Sequence, residues 1–186
     1  STYEPALMTS DTSELADTIF VDYTEWPSTW AVQQTGSINT TVTCYGTLGE
    51  SNLPGVSDIL QVGFETPPGS GNEYMFWGAL WIGGIVREDT VVSTGLDGWD
   101  TVGREFHPPH YPDSGSVYAN DFGNRCFMHA HFLDTLVISS PYDSVHIPMG
   151  LDCRLNCKIW RSEYFRDIVF YDLIIRNISA NIIRQA

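Results

Sequence analysis

The chain has 186 residues, enough for one domain with a sizeable core, and its 42% hydrophobic and 13% aromatic content excludes a disordered polymer. Nine Lys and Arg against 23 Asp and Glu give a formal net charge of −14 and a pI near 4.4. Such a field repels phosphate backbones and anionic membranes, which argues against nucleic acid as a partner and suits an exported protein that stays soluble or meets divalent cations.

No run of about 18 apolar residues occurs, so no membrane insertion is expected. The chain opens Ser1-Thr-Tyr-Glu-Pro5, with no initiator methionine and no signal peptide, as expected of a processed or trimmed chain. Residues 1–35 carry Ser, Thr, Asp and Glu with short apolar patches such as Thr18-Ile-Phe-Val21, and read as an extended arm ahead of a folded body at 36–186. Phe20, Trp26 and Trp30 are its anchors, aromatics able to plug a groove on a neighbouring copy. From 38 to 45, Ile38, Thr40, Val42 and Cys44 alternate with Asn39, Thr41, Thr43 and Tyr45, which predicts a half-buried strand.

A Gly/Pro/Ser-rich connection at 46–58 leads to a strand at 59–64 and a loop at 66–71. The stretch 74–86 is apolar in both alternations and holds Gly78, Gly83 and Gly84; each glycine would cost a helix about 1 kcal/mol, so a central strand or hairpin is predicted. Glu88-Asp-Thr90 turns into a strand at 91–94, and Gly95-Leu-Asp-Gly-Trp99 closes the unit with a turn at Asp97-Gly98. An irregular stretch at 106–119, with at most one helical turn at 116–124, precedes strands at 132–139, 152–162 and 165–178. The last is apolar in both alternations, which predicts a long strand buried on much of both faces. No amphipathic helix, heptad or repeat interrupts the pattern. The expected fold is therefore all-β: a β-sandwich, jelly-roll or immunoglobulin-like, with long loops and the N-terminal arm.

Cys44, Cys126, Cys153 and Cys157 allow two bridges in a secreted chain, with three connectivities; the close pair Cys153 and Cys157 could close a small loop and leave Cys44 to meet Cys126. Buried free thiols are the alternative, and the spacing is poor for zinc. His129 and His131 share a strand face, with Asp134 nearby and His107 or His110 as further partners, which makes His129, His131 and Asp134 the candidate metal ligands. Two imidazoles do not make a site, so no metal is assigned, and His107-Pro-Pro-His110 reads as a rigid loop. Asp97 and Asp100 around Trp99, with Glu73, resemble a glycosidase only in residue type, since sequence proximity does not set the separation of two acids. Loop carboxylates could bind calcium, although no EF-hand is present. No Gly-x-Ser-x-Gly elbow and no phosphate-binding glycine loop occurs, so no catalytic residue and no organic cofactor are expected, and the chain reads as a non-enzyme. The six tryptophans would permit a sugar-stacking face. Asn39-Thr-Thr41 and Asn177-Ile-Ser179 match the N-glycosylation triplet, a pattern that also arises by chance.

The stretches Gly71–Val86, Asp89–Ser93 and Gly95–Trp99, with Phe165–Ser179, resemble the N-terminal β-rich region of large secreted or surface proteins of environmental bacteria that end in sandwich domains or sorting tails. The resemblance covers roughly 35–186, is carried by structural motifs, and implies export and surface display without naming a reaction. In such proteins another strand follows directly on the one matching 165–178, whereas here the chain stops at Arg184-Gln-Ala186. A sheet is therefore expected to end open and to be closed in trans by a neighbour's arm. The resulting expectation is an extracellular structural subunit that self-assembles by strand or arm exchange into a surface filament or layer. Alternatives are a carbohydrate-binding adhesion module for a surface glycan, and a metal-dependent hydrolase using His129 and His131.

Overall fold

The structure, a computed structural model, describes residues 29–49, 62–75, 77–96, 104–110, 116–137 and 145–184. These residues are all-β, built from three antiparallel sheets, and the helical turn expected at 116–124 is instead a strand.

In the first sheet, β1 (Trp30–Thr35) and β2 (Ile38–Thr43) form a hairpin with unbroken pairing from Trp30↔Thr43 to Thr35↔Ile38. Its two-residue turn starts at Gly36, whose φ of +74° suits glycine, and a Cβ there would stand 2.8 Å from the Trp160 carbonyl oxygen. The last residues of the expected arm, Trp30 included, thus belong to the folded body; Phe20 and Trp26 lie outside the described residues. The other edge of β2 carries β4 (Phe64–Glu65) and β3 (Thr47–Leu48), and β3 pairs with β5 (Gly78–Ala79).

The predicted alternation in β2 is real, but the strand is buried on both faces. Most of its polar groups are satisfied internally: Thr41 donates to the Val62 carbonyl, Thr43 shares a 2.5 Å hydrogen bond with Thr47, Thr40 meets the Tyr171 hydroxyl at 3.2 Å, and Asn39 Nδ2 donates to Glu65 at 2.7 Å, while Asn39 Oδ1 is buried with no hydrogen-bond partner among the described residues. Burial of threonine and asparagine is tolerable only with such partners.

A second hairpin joins β6 (Trp81–Val86) to β7 (Asp89–Thr94) through Arg87-Glu88, with Arg87 held at φ +60°. The turn falls one to two residues earlier than expected. β12 (Ile183–Arg184) pairs on the far edge of β6, so a short strand does follow the long C-terminal one.

The main sheet runs β11-β10-β9-β8, from β8 (Val117–Asp121), β9 (Arg125–Asp134), β10 (Leu151–Trp160) and β11 (Val169–Asn177). Even residues of β9 and odd residues of β10 and β11 point inward. Met128, Ala130, Phe132, Cys153, Leu155 and Ile159 meet Val42 and Ala31 of the first sheet there, in one core with Phe106 and Met149. Phe106 sits edge-on to Phe132 at 5.2 Å. Each of these large side chains contributes about 1.5–3 kcal/mol by leaving water.

Candidate functional site

β11 departs most from its expectation. Its odd residues Val169, Tyr171 and Leu173 pack on the core, but the even ones face outward, so the strand is buried on one face only. It forms the margin of the main sheet, and among the described residues no strand pairs with its far side. Phe170 (42% exposed), Ile174 (48%), Ile175 (46%) and Ile178 (45%) make this margin apolar. Trp160 and Phe165 extend the patch, with the Trp160 ring 5.0 Å from Phe170 and 6.3 Å from Phe165.

The backbone phase of that margin follows from its neighbours. His131 N–H donates to Ser116 O, Arg161 N–H to Asn124 O and Ile178 N–H to Gly150 O. Odd residues of β9 therefore bond β8, odd residues of β10 bond β9, and even residues of β11 bond β10. The N–H and C=O groups of Val169, Tyr171, Leu173, Ile175 and Asn177 consequently aim at the unpaired side.

A polar row crosses the outer face of the same sheet. Tyr118 stacks on His129; His129 Nδ1 donates to Asn156 Oδ1 at 2.9 Å; and Asn156 Nδ2 donates to Asp172 at 3.4 Å. One step along, His131 Nε2 donates to Asp152 at 2.9 Å. Burial lowers both histidine pKa values, so both rings are neutral at neutral pH. His129 and His131 do share a face, but Asp134 is on the opposite one, so the expected ligand set is not assembled. Among the described residues no group of three or more His, Cys, Asp or Glu side chains is gathered for a metal.

Asp134 instead centres a buried network that sequence reasoning missed. Its carboxylate, 0% exposed, accepts from Ser93 Oγ and His146 Nε2, each at 2.6 Å, and from Met149 N–H at 2.8 Å. His146 Nδ1 reaches Glu105 at 3.0 Å, and Glu105 also accepts from Thr94 N–H at 2.7 Å. Burial disfavours the imidazolium, yet the hydrogen bond and charge of Asp134, joined by Glu105, raise the His146 pKa above its ordinary value. This chain ties β7 to β9 and to the segment before β10; with Asp134 and Ser93 sealed from solvent, it holds structure together. Lone Ser93, Glu105 and His146 carry no motif, and only Asp134 stood out in the sequence.

The expected disulfides are not formed: Cys44, Cys126, Cys153 and Cys157 are free and buried. Cys153 and Cys157 point inward from one extended strand, about 13 Å apart at the strand rise, well beyond disulfide reach. Cys126 lies diagonal to Cys157 across the β9–β10 register. Burial pushes the thiols of Cys126, Cys153 and Cys157 up to about 12.

Glu65 anchors the 66–71 loop: its carboxylate accepts from Gly71 N–H at 2.8 Å and Gly69 N–H at 2.9 Å, and these bonds depress its pKa. Glu73 accepts from Gly63 N–H at 3.1 Å. His107 pairs by backbone with Leu133 and bonds Thr135 at 3.0 Å, a structural role. Asp97, Trp99 and Asp100 lie outside the described residues. Asn39 is buried, which removes it as a glycosylation acceptor, while Asn177 is exposed but bonded to Asn181 O at 2.8 Å. No helix among the described residues is long and apolar enough to cross a membrane.

No protein-family model matches the chain, and no curated protein and no solved structure is significantly similar to it. The candidate site therefore stands on its own geometry: a long, apolar sheet margin at β11 that no strand among the described residues pairs.

Proposed function

We propose that the chain is a structural subunit of β-sandwich architecture, and that copies of it assemble by adding a strand at the β11 margin. One observation carries the reading. Folded proteins blunt their sheet edges with short strands, charged side chains, proline or bulges; of these devices β11 carries only two charges of opposite sign, Asp172 and Arg176. It is nine residues long, contains neither lysine nor proline, and pairs with β10 in an unbroken register from Ile159↔Val169 to Leu151↔Asn177. Its apolar side chains offer a partner the burial that strand addition requires.

A filament or layer outside the cell is the setting that the acidic, Lys-poor composition supports. The free cysteines remove the disulfide argument for export, and edge assembly does not depend on compartment. Arm exchange rests on residues 1–28, outside the described residues, so the proposal is placed on the sheet margin.

The test is sedimentation velocity across a concentration series, comparing the chain with Ile175→Pro. Ile175 directs its N–H away from β10, so proline there removes a donor from the open margin and spares the existing ladder. The expected result is concentration-dependent assembly of the parent chain and a monomeric variant with an unchanged circular dichroism spectrum. A parent chain that stays monomeric at every concentration contradicts the proposal.

A second reading, a glycan-binding face, is favoured by Trp81, 62% exposed with its indole N–H fixed on Leu96 O at 3.2 Å. A flat ring held in that way can stack on a sugar. Glycan-array binding that disappears in Trp81→Ala would support it, and an array with no binding would contradict it.

A further inference from the structure

The assembly reading leaves open what adds to β11 and in which register; the charge pattern of the strand answers both. We infer that β11 pairs with β11 of a second copy, antiparallel, about a two-fold axis through Ile174. This inference rests on the proposed assembly function and makes it specific.

The outward residues of β11 are Phe170, Asp172, Ile174 and Arg176, followed by Ile178. A two-fold axis through Ile174 sets Asp172 opposite Arg176 of the second copy, and Arg176 opposite its Asp172. Ile174 meets itself, and Phe170 meets Ile178. On the other face Leu173 meets Ile175, which covers an isoleucine that projects beyond the subunit's own core.

Each exposed apolar side chain on the margin thereby gains an apolar partner and each charge an opposite one. Neighbouring registers fail this condition. An axis through Asp172 opposes the two aspartates, one through Leu173 sets Asp172 against Ile174, and one through Ile175 sets Ile174 against Arg176.

The backbone phase fits the same axis. Leu173 and Ile175, whose N–H and C=O groups aim at the open side, become a hydrogen-bonded pair, and Ile174, Asp172 and Arg176 fall in the closer non-hydrogen-bonded pairs. From β10, Arg154 faces Ile174, Asn156 faces Asp172, Asp152 faces Arg176 and Lys158 faces Phe170. Arg176 would then lie between Asp152 of its own subunit and Asp172 of the second, and the two main sheets would merge into one of eight strands. Self-complementarity of this kind is what a two-fold interface demands; it closes a dimer, so a filament or layer would use a second contact between dimers.

Two experiments test the register. Asp172→Arg opposes two arginine pairs across the axis and Arg176→Asp opposes two aspartate pairs, so each variant alone is expected to self-associate roughly tenfold to a hundredfold more weakly. An equimolar mixture of the two, in which every charge meets its opposite, should recover association in sedimentation velocity. Independently, Ile174→Cys should form a disulfide-linked dimer under mild oxidation, since facing Cα atoms in a non-hydrogen-bonded pair stand about 4.5 Å apart, within disulfide reach. The native cysteines are buried and do not compete. A parent chain that assembles while both charge reversals assemble equally well and Ile174→Cys fails to cross-link overturns the register and leaves edge assembly standing. A parent chain that never assembles overturns both.

Discussion

Asp134→Asn replaces a buried carboxylate by an amide of the same shape, so its cost measures the polar network without a cavity. Asp134 Oδ1 accepts from His146, and Oδ2 accepts from Ser93 and from Met149 N–H. An amide turns one of these oxygens into a donor that faces a donor, and takes one of two counter-charges from the His146 imidazolium. A buried donor left unmatched costs about 1–3 kcal/mol, and loss of one partner of a buried ion pair about 3–5, here reduced because Glu105 remains. The expected loss is therefore about 3 kcal/mol, roughly 6–12 °C in Tm for a domain of this size. Urea denaturation at pH 6 measures it.

The pH profile should change in a defined direction. The folded pKa of His146 lies above its unfolded value near 6.5, so its contribution is fully present below about pH 6.5 and is lost as pH rises through the folded pKa. Asp134→Asn should flatten that decline. A variant within about 0.5 kcal/mol of the parent, with the same slope above pH 6.5, would refute the assignment of Asp134 as the hub.

Other outcomes follow from single sites. The core thiols should resist a thiol reagent at pH 8 in the native chain and react fully in denaturant, because burial pushes Cys126, Cys153 and Cys157 up to about 12; rapid native labelling would contradict their burial. Arg87→Gly should raise stability by about 0.5–1 kcal/mol, since φ +60° costs an L-residue about 1–2 kcal/mol and glycine's greater unfolded entropy returns part of it; thermal denaturation checks this. Glu65→Gln keeps one carboxyl-type acceptor of two and should cost about 1–2 kcal/mol in urea denaturation. The parent chain should lose that contribution only as pH falls from about 4.5 through the depressed folded pKa, and the variant should lack this acid-sensitive loss.

The all-β class was legible because turn residues, aromatic content and period-2 alternation agree along most of the chain. The long strands were found to within a few residues in β2, β10 and β11. Alternation did not reveal what covers each face. In β2 the threonine face reads as solvent-exposed, yet it is buried, with partners returned by Val62 for Thr41, Glu65 for Asn39 and Thr47 for Thr43. In β11 two apolar alternations read as double burial, yet one of them is exposed, and no further strand among the described residues covers it. The same ambiguity misled the cysteines, since four half-cystines and four small core residues look alike until Cys153 and Cys157 are placed on one extended strand. The buried Asp134 network was beyond reach for a different reason. Its members, Ser93, Glu105, Asp134 and His146, are far apart in sequence, and only the tertiary fold brings them together.

The most direct measurement is amide hydrogen exchange of Tyr171, Leu173 and Ile175 as a function of protein concentration. Their N–H groups aim away from β10, so the account predicts rapid exchange in dilute solution and strong protection once a second strand adds. Even-numbered neighbours such as Asp172 and Ile174, bonded to β10, should be protected throughout. Rapid exchange of the odd amides at every concentration would contradict the claim that β11 is an assembly edge.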